Sequence, residues 1–168
     1  QLPIVGCAFR KVWWDARKNL PAACYVPALR LVVPMDAKSL ETAPRVTEEM
    51  DGVYPYEIRR RMRVGECREV ELTSVSEDSE APRMLLEQHR LIDLDGDGFD
   101  EPYIVTVDKE SSQVLKLEAA FGPDSVKMSE DGDVLDIVRE VFYVKYEFLP
   151  HPDGKFYSIG LGHLLAEL

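Results

Sequence analysis

Alternation of apolar and polar residues is the dominant pattern at the start of the chain. Residues 4–14 alternate in this way and are rich in β-branched and aromatic side chains, which predicts a strand with both faces partly covered. Trp13 and Trp14 are adjacent and therefore fall on opposite faces of that strand. We expect core on one side and an edge or an interface on the other.

A second strand is predicted after a polar turn. Residues 15–21 form the turn, and residues 25–33 form the strand, which Pro34 closes because proline interrupts a sheet ladder. Residues 36–41 are expected to form a short ordered loop or a single helical turn.

The clearest helix signals lie between residues 51 and 65. Asp51 and Gly52 predict a turn. Pro55 suits the first turn of a helix, where its missing N–H does no harm. Residues 56–64 carry an acidic residue early and arginines late, as the helix dipole favours. Gly65 supplies a left-handed C-terminal stop, so we expect the helix to end just before it.

The second half of the chain returns to strand patterns. An acidic, serine-rich surface loop is predicted at residues 74–80. Residues 84–92 alternate, and residues 103–107 follow a turn rich in Gly and Asp at residues 95–98. Two strand patterns around such a turn predict a β-hairpin. Residues 114–120 predict a further strand.

Strands give way to a helix toward the C-terminus. Residues 131–132 predict a turn, and residues 135–148 predict a long strand or a bent pair of strands. Residues 151–154 predict a tight turn, after which the apolar spacing becomes helical. We expect a helix to begin between Gly160 and Gly162.

These elements predict an α+β fold, mostly antiparallel β-sheet with a few peripheral helices. The 168 residues are 45% hydrophobic, which is enough to bury a core. We expect one domain over residues 1–155 and the start of a further helix over residues 156–168, in a chain taken from a longer protein. No signal peptide and no membrane-length apolar run stands out, so we expect a soluble, non-secreted domain without membrane contact.

The chain is strongly acidic. It has 20 Lys and Arg residues against 31 Asp and Glu residues, a formal net charge of −11. Such a surface repels phosphate backbones, so tight nucleic-acid binding is not expected. Its one basic cluster consists of Arg59, Arg60, Arg61 and Arg63. We favour the solvated face of a helix for this cluster over a contact with DNA or a partner.

Cysteines give no recognisable site. Cys7, Cys24 and Cys67 are odd in number and irregularly spaced, which does not suggest a disulfide framework. No CxxC pair or Cys/His grouping suggests zinc. Free, buried thiols in a reducing compartment are expected.

Histidines give no recognisable catalytic motif either. His89 is expected half-buried on a strand and His163 on the last helix, while His151 lies in a predicted turn. The sequence contains no GxSxG turn, phosphate-binding glycine loop or dinucleotide fingerprint. We expect no enzyme activity; a hydrolase with its site at His89 or His151 is the remaining catalytic alternative.

Residues 93–101, DLDGDGFDE, form the sharpest local feature. Asp93, Asp95 and Asp97 stand where the first, third and fifth ligands of an EF-hand loop converge on Ca²⁺. The twelfth position is Ile104, where a bidentate Glu belongs, and the flanks predict strands. Two interpretations stay open: a hairpin loop whose Asp side chains cap backbone amides, or a Ca²⁺ site that relieves repulsion among five acidic groups. No other cofactor is predicted.

Three stretches resemble one known family, the portal proteins of short-tailed, podovirus-like phages, which are often found in prophages. The first stretch is residues 2–15, LPIVGCAFRKVWWD, and resembles the beginning of the family's wing region. The second comprises residues 87–89 and residues 93–107, DLDGDGFDEPYIVTV. The third is residues 146–165, YEFLPHPDGKFYSIGLGHLL. They occur in the expected order across almost the whole chain.

The resemblance implies a structural subunit in a ring, usually of twelve copies, at one capsid vertex. DNA enters and leaves through such a ring without sequence-specific binding, driven by a terminase motor. The wing lies at the outer radius and carries contacts with other subunits, capsid and scaffold. The stem and clip, which contact terminase and tail adaptors, would follow residue 168. The location implied is the virion, and the host cytoplasm during assembly.

The portal resemblance has two consequences for the chain by itself, and one alternative to it stays open. By itself the chain is expected to be monomeric or weakly associated, with its natural interfaces left as exposed apolar patches. The alternative is a Ca²⁺-stabilised β binding module of a surface protein, suggested by Asp93, Asp95 and Asp97.

Overall fold

The computed structural model describes residues 2–16, 18–72, 78–132 and 134–166. The fold is α+β and consists mostly of antiparallel β-sheet, as the sequence predicts. The described strands are β1 (Cys7–Asp15), β2 (Leu20–Val26), β3 (Leu31–Val32), β4 (Arg45–Val53), β5 (Arg83–Ile92), β6 (Glu101–Asp108), β7 (Gln113–Ala119), β8 (Val126–Met128), β9 (Val134–Ile137) and β10 (Tyr143–Glu147). The described α-helices are α1 (Leu2–Val5), α2 (Pro55–Arg63) and α3 (Leu161–Ala166).

The chain divides into two compact units. The first combines Gln1–Val46 with Val141–Leu168, and the second is Thr47–Glu140. Strand β4 begins in the first unit and continues into the second. The division of the chain near residue 155 stays a prediction.

The first unit is built on a three-stranded sheet with the order β10-β1-β2. Both pairings are antiparallel, and Phe9 on the central strand lies opposite Val26 and Lys145. Phe9 is completely buried, and its ring stacks on Phe156 at a centroid distance of 5.6 Å. The core of this unit therefore lies on the Phe9 face of the sheet. Its further buried members are Cys7, Val26, Leu31, Ala37, Leu40, Ala43, Val46 and Tyr143.

Two glycines allow α1 and the start of α3 to come very close. A Cβ atom on Gly160 would lie 2.2 Å from the carbonyl oxygen of Ile4, and one on Gly6 would lie 2.3 Å from that of Ser158. Gly6 also has a φ of +93°, which other residues adopt only under strain. Only residues without a side chain fit this backbone contact.

The second unit contains the sheet β4-β5-β6-β7 and the separate hairpin β8-β9. Strands β5 and β6 pair antiparallel from Leu85 opposite Asp108 to Ile92 opposite Glu101, which confirms the predicted hairpin. Helix α2 covers the sheet through Ile58, which packs with Leu85 and Leu115 in the core of this unit.

Several local predictions are confirmed. Pro55 begins α2, the helix ends at Arg63, and Gly65 follows with a φ of +76°. Gly154 donates its N–H to the carbonyl of His151 at 2.9 Å, which closes the predicted tight turn. The expected strand near residues 114–120 is β7, and the expected C-terminal helix is α3.

Four local predictions are wrong or incomplete. Residues 2–5 form the single turn α1 because Gly6 breaks the extended run, so the first strand starts later than predicted. The second strand lies at Leu20–Val26, earlier than expected. Asp51 and Gly52 lie inside β4, which the sequence did not predict. Residues 135–148 divide between β9 and β10, which belong to different sheets.

Neither tryptophan is buried in the core. Trp13 is 37% exposed and Trp14 is 60% exposed. Strand β1 has core on one face and an exposed surface on the other, as expected, but Trp13 does not belong to that core. The core face of β1 is filled at Phe9 instead. Of the predicted surface loop at residues 74–80, residues 74–77 lie outside the described residues. Among the described helices, none has the length and apolar character needed to cross a bilayer.

Candidate functional site

The loop between β5 and β6, residues 93–101, is called the acidic loop below. Asp93 accepts hydrogen bonds from the backbone N–H groups of Gly96 at 2.7 Å and Gly98 at 3.0 Å, one on each carboxylate oxygen. Both glycines have positive φ, +79° and +90°. Asp93 therefore orders the loop from its first position, and the glycines supply the backbone geometry that this requires.

Asp95 and Asp97 make the same kind of local bond. Asp95 accepts from the N–H of Asp97 at 3.3 Å, and Asp97 accepts from the N–H of Phe99 at 2.7 Å. One oxygen from each of Asp93, Asp95 and Asp97 nevertheless lies within 4.8 Å of the other two. The capping network and the clustering of ligand atoms thus exist together, and both interpretations of this loop remain compatible with its geometry.

The acidic loop does not continue with the remaining ligands of an EF-hand. Ile104, at the twelfth position, lies on β6 and offers no side-chain oxygen. Ca²⁺ prefers six to eight oxygen ligands, and the three carboxylates fall short of that number. The flanks are strands, as predicted, where an EF-hand has helices.

A buried ion pair lies at the opposite end of the β5-β6 hairpin. Arg83 binds Asp108 with two bonds, Nε to Oδ1 at 3.1 Å and Nη2 to Oδ2 at 2.6 Å. Their side chains are 4% and 0% exposed. Ser111 also donates to Asp108 from its N–H and its hydroxyl, and Glu110 lies 3.4 Å from Arg83 Nη1. No local sequence pattern indicates this pair.

Several effects act on the pKa of Asp108 in opposite directions. Burial alone would raise it, but the hydrogen bonds from Arg83 and Ser111, with the charge of Arg83, hold the pKa of Asp108 below its ordinary value. The pKa of Arg83 is raised, chiefly by its hydrogen bond to Asp108. Both groups are therefore charged at neutral pH, and the pair is a structural clamp.

The three histidines are distributed over both units. His89 is 4% exposed, more buried than expected, and its Nε2 lies 2.7 Å from a Glu87 carboxylate oxygen on the same face of β5. His151 and His163, on the predicted turn and helix, both line a cavity of about 450 Å³ in the first unit. No sequence pattern indicates that these two histidines lie together, because they are twelve positions apart in unlike elements.

The cavity beside His151 contains few polar contacts. His151 Nδ1 accepts the N–H of Asp153 at 3.1 Å, and Tyr157 donates its hydroxyl to the carbonyl of Leu31 at 2.6 Å. Burial raises the pKa of the Tyr157 hydroxyl. Cys7 and Ser158 line the same cavity, and the buried hydroxyl of Ser158 has no hydrogen-bond partner among the described residues. Nucleophilic hydrolysis requires a hydrogen bond between the nucleophile and its base, and no such bond joins Ser158 to either histidine.

The arginines of α2 separate into one paired and three unpaired residues. Arg59 binds both carboxylate oxygens of Glu80 at 2.9 Å. Arg60, Arg61 and Arg63 are exposed and, within the described ranges, form no ion pair.

An exposed apolar surface covers the side of the β10-β1-β2 sheet that faces away from the Phe9 core. Directly opposed residues on antiparallel strands share a face, and the register puts Ala8 with Tyr146, Arg10 with Val144 and Tyr25, Val12 with Ala23, and Trp14 with Pro21. We call this surface the outer sheet face. Its large exposed side chains are Val12, Trp14, Tyr25, Val144 and Tyr146.

The outer sheet face differs from the rest of the acidic chain in its charge. Its paired positions include one charged residue, Arg10, and no carboxylate. A contiguous apolar sheet face that is left exposed marks an interaction surface more often than a chance arrangement.

Neither a scan against protein-family models nor a search among curated proteins finds a match to this chain.

Proposed function

We propose that this chain is the wing module of a structural subunit in a phage portal ring, and that it acts by packing against copies of itself and neighbouring shell proteins. The observation that carries the proposal is the outer sheet face. Burying an apolar side chain the size of Trp14 or Tyr25 stabilises a contact by about 2 kcal/mol or more, so a face with several of them favours assembly.

The location of the three portal-like stretches supports this proposal. Residues 2–15 form α1 and β1, and residues 146–165 include the end of β10 and most of α3. These two stretches pair directly, with Cys7 opposite Glu147 and Ala8 opposite Tyr146. Two of the three segments that carry the resemblance thus build one shared sheet although they are far apart in sequence, and the third forms part of the β5-β6 hairpin.

The proposed role is mechanical, not enzymatic. The ring, expected to contain twelve subunits, would hold its register at the capsid vertex while DNA passes through the centre. A net charge of −11 disfavours binding to a phosphate backbone. Capsid and scaffold proteins would contact the wing, whereas terminase and tail adaptors would contact other regions of the subunit. The subunit would be in the virion, and in the host cytoplasm during assembly.

Imaging of the full-length protein tests the proposal. Purified full-length protein examined by negative-stain electron microscopy should show rings with a central hole. Compact single subunits at every concentration, with no ring among them, would rule out the portal assignment.

One observation favours a second candidate, a Ca²⁺-stabilised β binding module. The oxygens of Asp93, Asp95 and Asp97 lie close enough together to share one cation. Calorimetry distinguishes the two functions, because a ligand that binds only the folded state raises the melting temperature. A large rise on adding Ca²⁺, combined with an absence of rings, would favour the binding module.

A further inference from the structure

We propose that the cavity beside His151 binds a medium-chain aliphatic carboxylate, with the carboxylate at the rim and the apolar chain inside. The residues that line the cavity all belong to the first unit, and the proposal does not depend on ring assembly. The volume of about 450 Å³ falls in the range of about 300–1,000 Å³ that is typical of small-molecule sites. A chain of several carbon atoms therefore fits the cavity.

The interior of the cavity is mostly apolar. Cys7 and Ser158 line it and are only 2% and 5% exposed, so they form its floor. Ala28 and Ile159 also line it and are half-buried. An aliphatic chain that displaces water from these walls gains free energy, because apolar surface on both sides is removed from water.

The rim of the cavity carries hydrogen-bond donors. Lys155 and His163 both line the cavity and are exposed, so they stand at its mouth. His151 lines it as well, and because its Nδ1 accepts the N–H of Asp153 at 3.1 Å, the ring donates from Nε2. Among the described residues that line the cavity there is no Asp or Glu. One ammonium and two imidazoles thus favour a ligand that accepts hydrogen bonds.

A single carboxylate suits this rim better than other acceptors. Hydrogen bonds from an ammonium to a carboxylate are charge-assisted and stronger than those to a neutral oxygen. At the rim the carboxylate stays in contact with water, which avoids the cost of burying an ion. A ligand with several negative charges would face stronger repulsion from a chain of net charge −11.

Asp153 competes with the ligand for this rim. Its Oδ2 lies 3.7 Å from Lys155 Nζ and 3.7 Å from His151 Nδ1. Both distances are longer than a hydrogen bond, so the carboxylate attracts the ammonium without taking up its donors. Because Asp153 is exposed, its charge can be removed without disturbing the core. Its removal should strengthen the binding of a ligand carboxylate.

Isothermal titration calorimetry of the full-length protein with sodium octanoate tests the proposal. We expect saturable binding at one site per subunit. Octanol has the same chain without the carboxylate, and acetate has the carboxylate without the chain. Each control compound should bind at least about tenfold more weakly, because each lacks one half of the interaction.

Variants at the rim locate the site. Lys155→Met combined with His163→Ala should weaken octanoate binding about tenfold. Asp153→Asn keeps the backbone N–H that binds His151 and should strengthen octanoate binding about two- to fivefold. The matched controls are Lys127→Met and Asp136→Asn, which alter an exposed ion pair outside the cavity. They change the net charge by the same amounts and should leave octanoate binding unchanged.

Four results would overturn the inference. Octanol that binds as tightly as octanoate would show that the rim does not recognise a carboxylate. Equal losses in the rim variant and in Lys127→Met would show that binding follows net charge alone. Failure of Asp153→Asn to bind more tightly would put the carboxylate elsewhere, and misfolding cannot imitate the expected gain. The absence of saturable binding up to about 10 mM octanoate would show that the cavity is not a site for this class of ligand.

Discussion

Arg83 and Asp108 form a buried, two-bond ion pair that closes the open end of the β5-β6 hairpin. Leu85 lies directly opposite Asp108, so Arg83 is its diagonal neighbour on the same face. Removing one partner of such a pair leaves the other charge buried and unpaired, which costs about 3–5 kcal/mol.

Asp108→Asn should therefore lower the free energy of unfolding by about 3–5 kcal/mol, measured by urea denaturation followed by circular dichroism. The matched control is Asp136→Asn, which breaks the exposed Lys127–Asp136 pair and should cost at most about 1 kcal/mol. Equal losses in the two variants would contradict the clamp assigned to Arg83 and Asp108.

The same pair predicts how stability depends on pH. The folded-state pKa of Asp108 lies below its ordinary value of 3.8. Its stabilising contribution should be complete above pH 3.8 and should be lost as the pH falls through the folded-state pKa. The difference in urea midpoint between wild type and Asp108→Asn should stay constant from about pH 7 to about pH 5 and shrink below about pH 4. A difference that grows on acidification would have the wrong sign.

The close contact between α1 and α3 predicts an asymmetry between two glycines. Gly160→Ala would place a Cβ 2.2 Å from the carbonyl oxygen of Ile4, and we expect a loss of about 1–3 kcal/mol from this overpacking. Gly162→Ala would place it at 3.9 Å, an ordinary contact inside α3, and should gain up to about 1 kcal/mol of helix propensity. Thermal melts of both variants check the order; a more stable Gly160→Ala chain would contradict it.

The acidic loop predicts a loss that does not depend on calcium. Asp93→Ala removes the acceptor of two backbone amides and should cost about 1–2 kcal/mol, in EDTA and in millimolar Ca²⁺ alike. Asp100→Ala, which alters an exposed carboxylate of the same loop, should cost nothing measurable. If Ca²⁺ stabilises the wild type strongly and Asp93→Ala not at all, the loop is a cation site and the binding-module alternative gains support.

Local signals in the sequence were sufficient for the elements that depend on local chemistry. Pro55 and Gly65 delimit α2 because proline and glycine fix the backbone at helix ends wherever they occur. The Gly- and Asp-rich turn predicted the β5-β6 hairpin for the same reason. The positions of Asp93, Asp95 and Asp97 also identified a loop in which three carboxylates converge.

Long-range packing decided the elements that the sequence missed. Thr47 and Glu48 are buried in β4 although they are polar, so the local pattern does not predict a strand there. The strand forms because it pairs with β3 and β5. Phe9 stacks on Phe156, which is far from it in the sequence. No local pattern therefore predicts that Phe9, and not a tryptophan, fills the core. Arg83 and Asp108 look like ordinary surface charges until the hairpin register brings them together.

Native mass spectrometry of the full-length protein tests the central claim, that this chain acts by packing against copies of itself through the outer sheet face. The account predicts a single assembly with an integral number of subunits. Trp14→Ser, Tyr25→Ser and Val144→Ser in combination should reduce it to monomers, while Met35→Ser with Leu135→Ser, two exposed residues off that face, should leave it intact. A monomeric wild type, or an assembly that the outer-face variant still forms, would contradict the account.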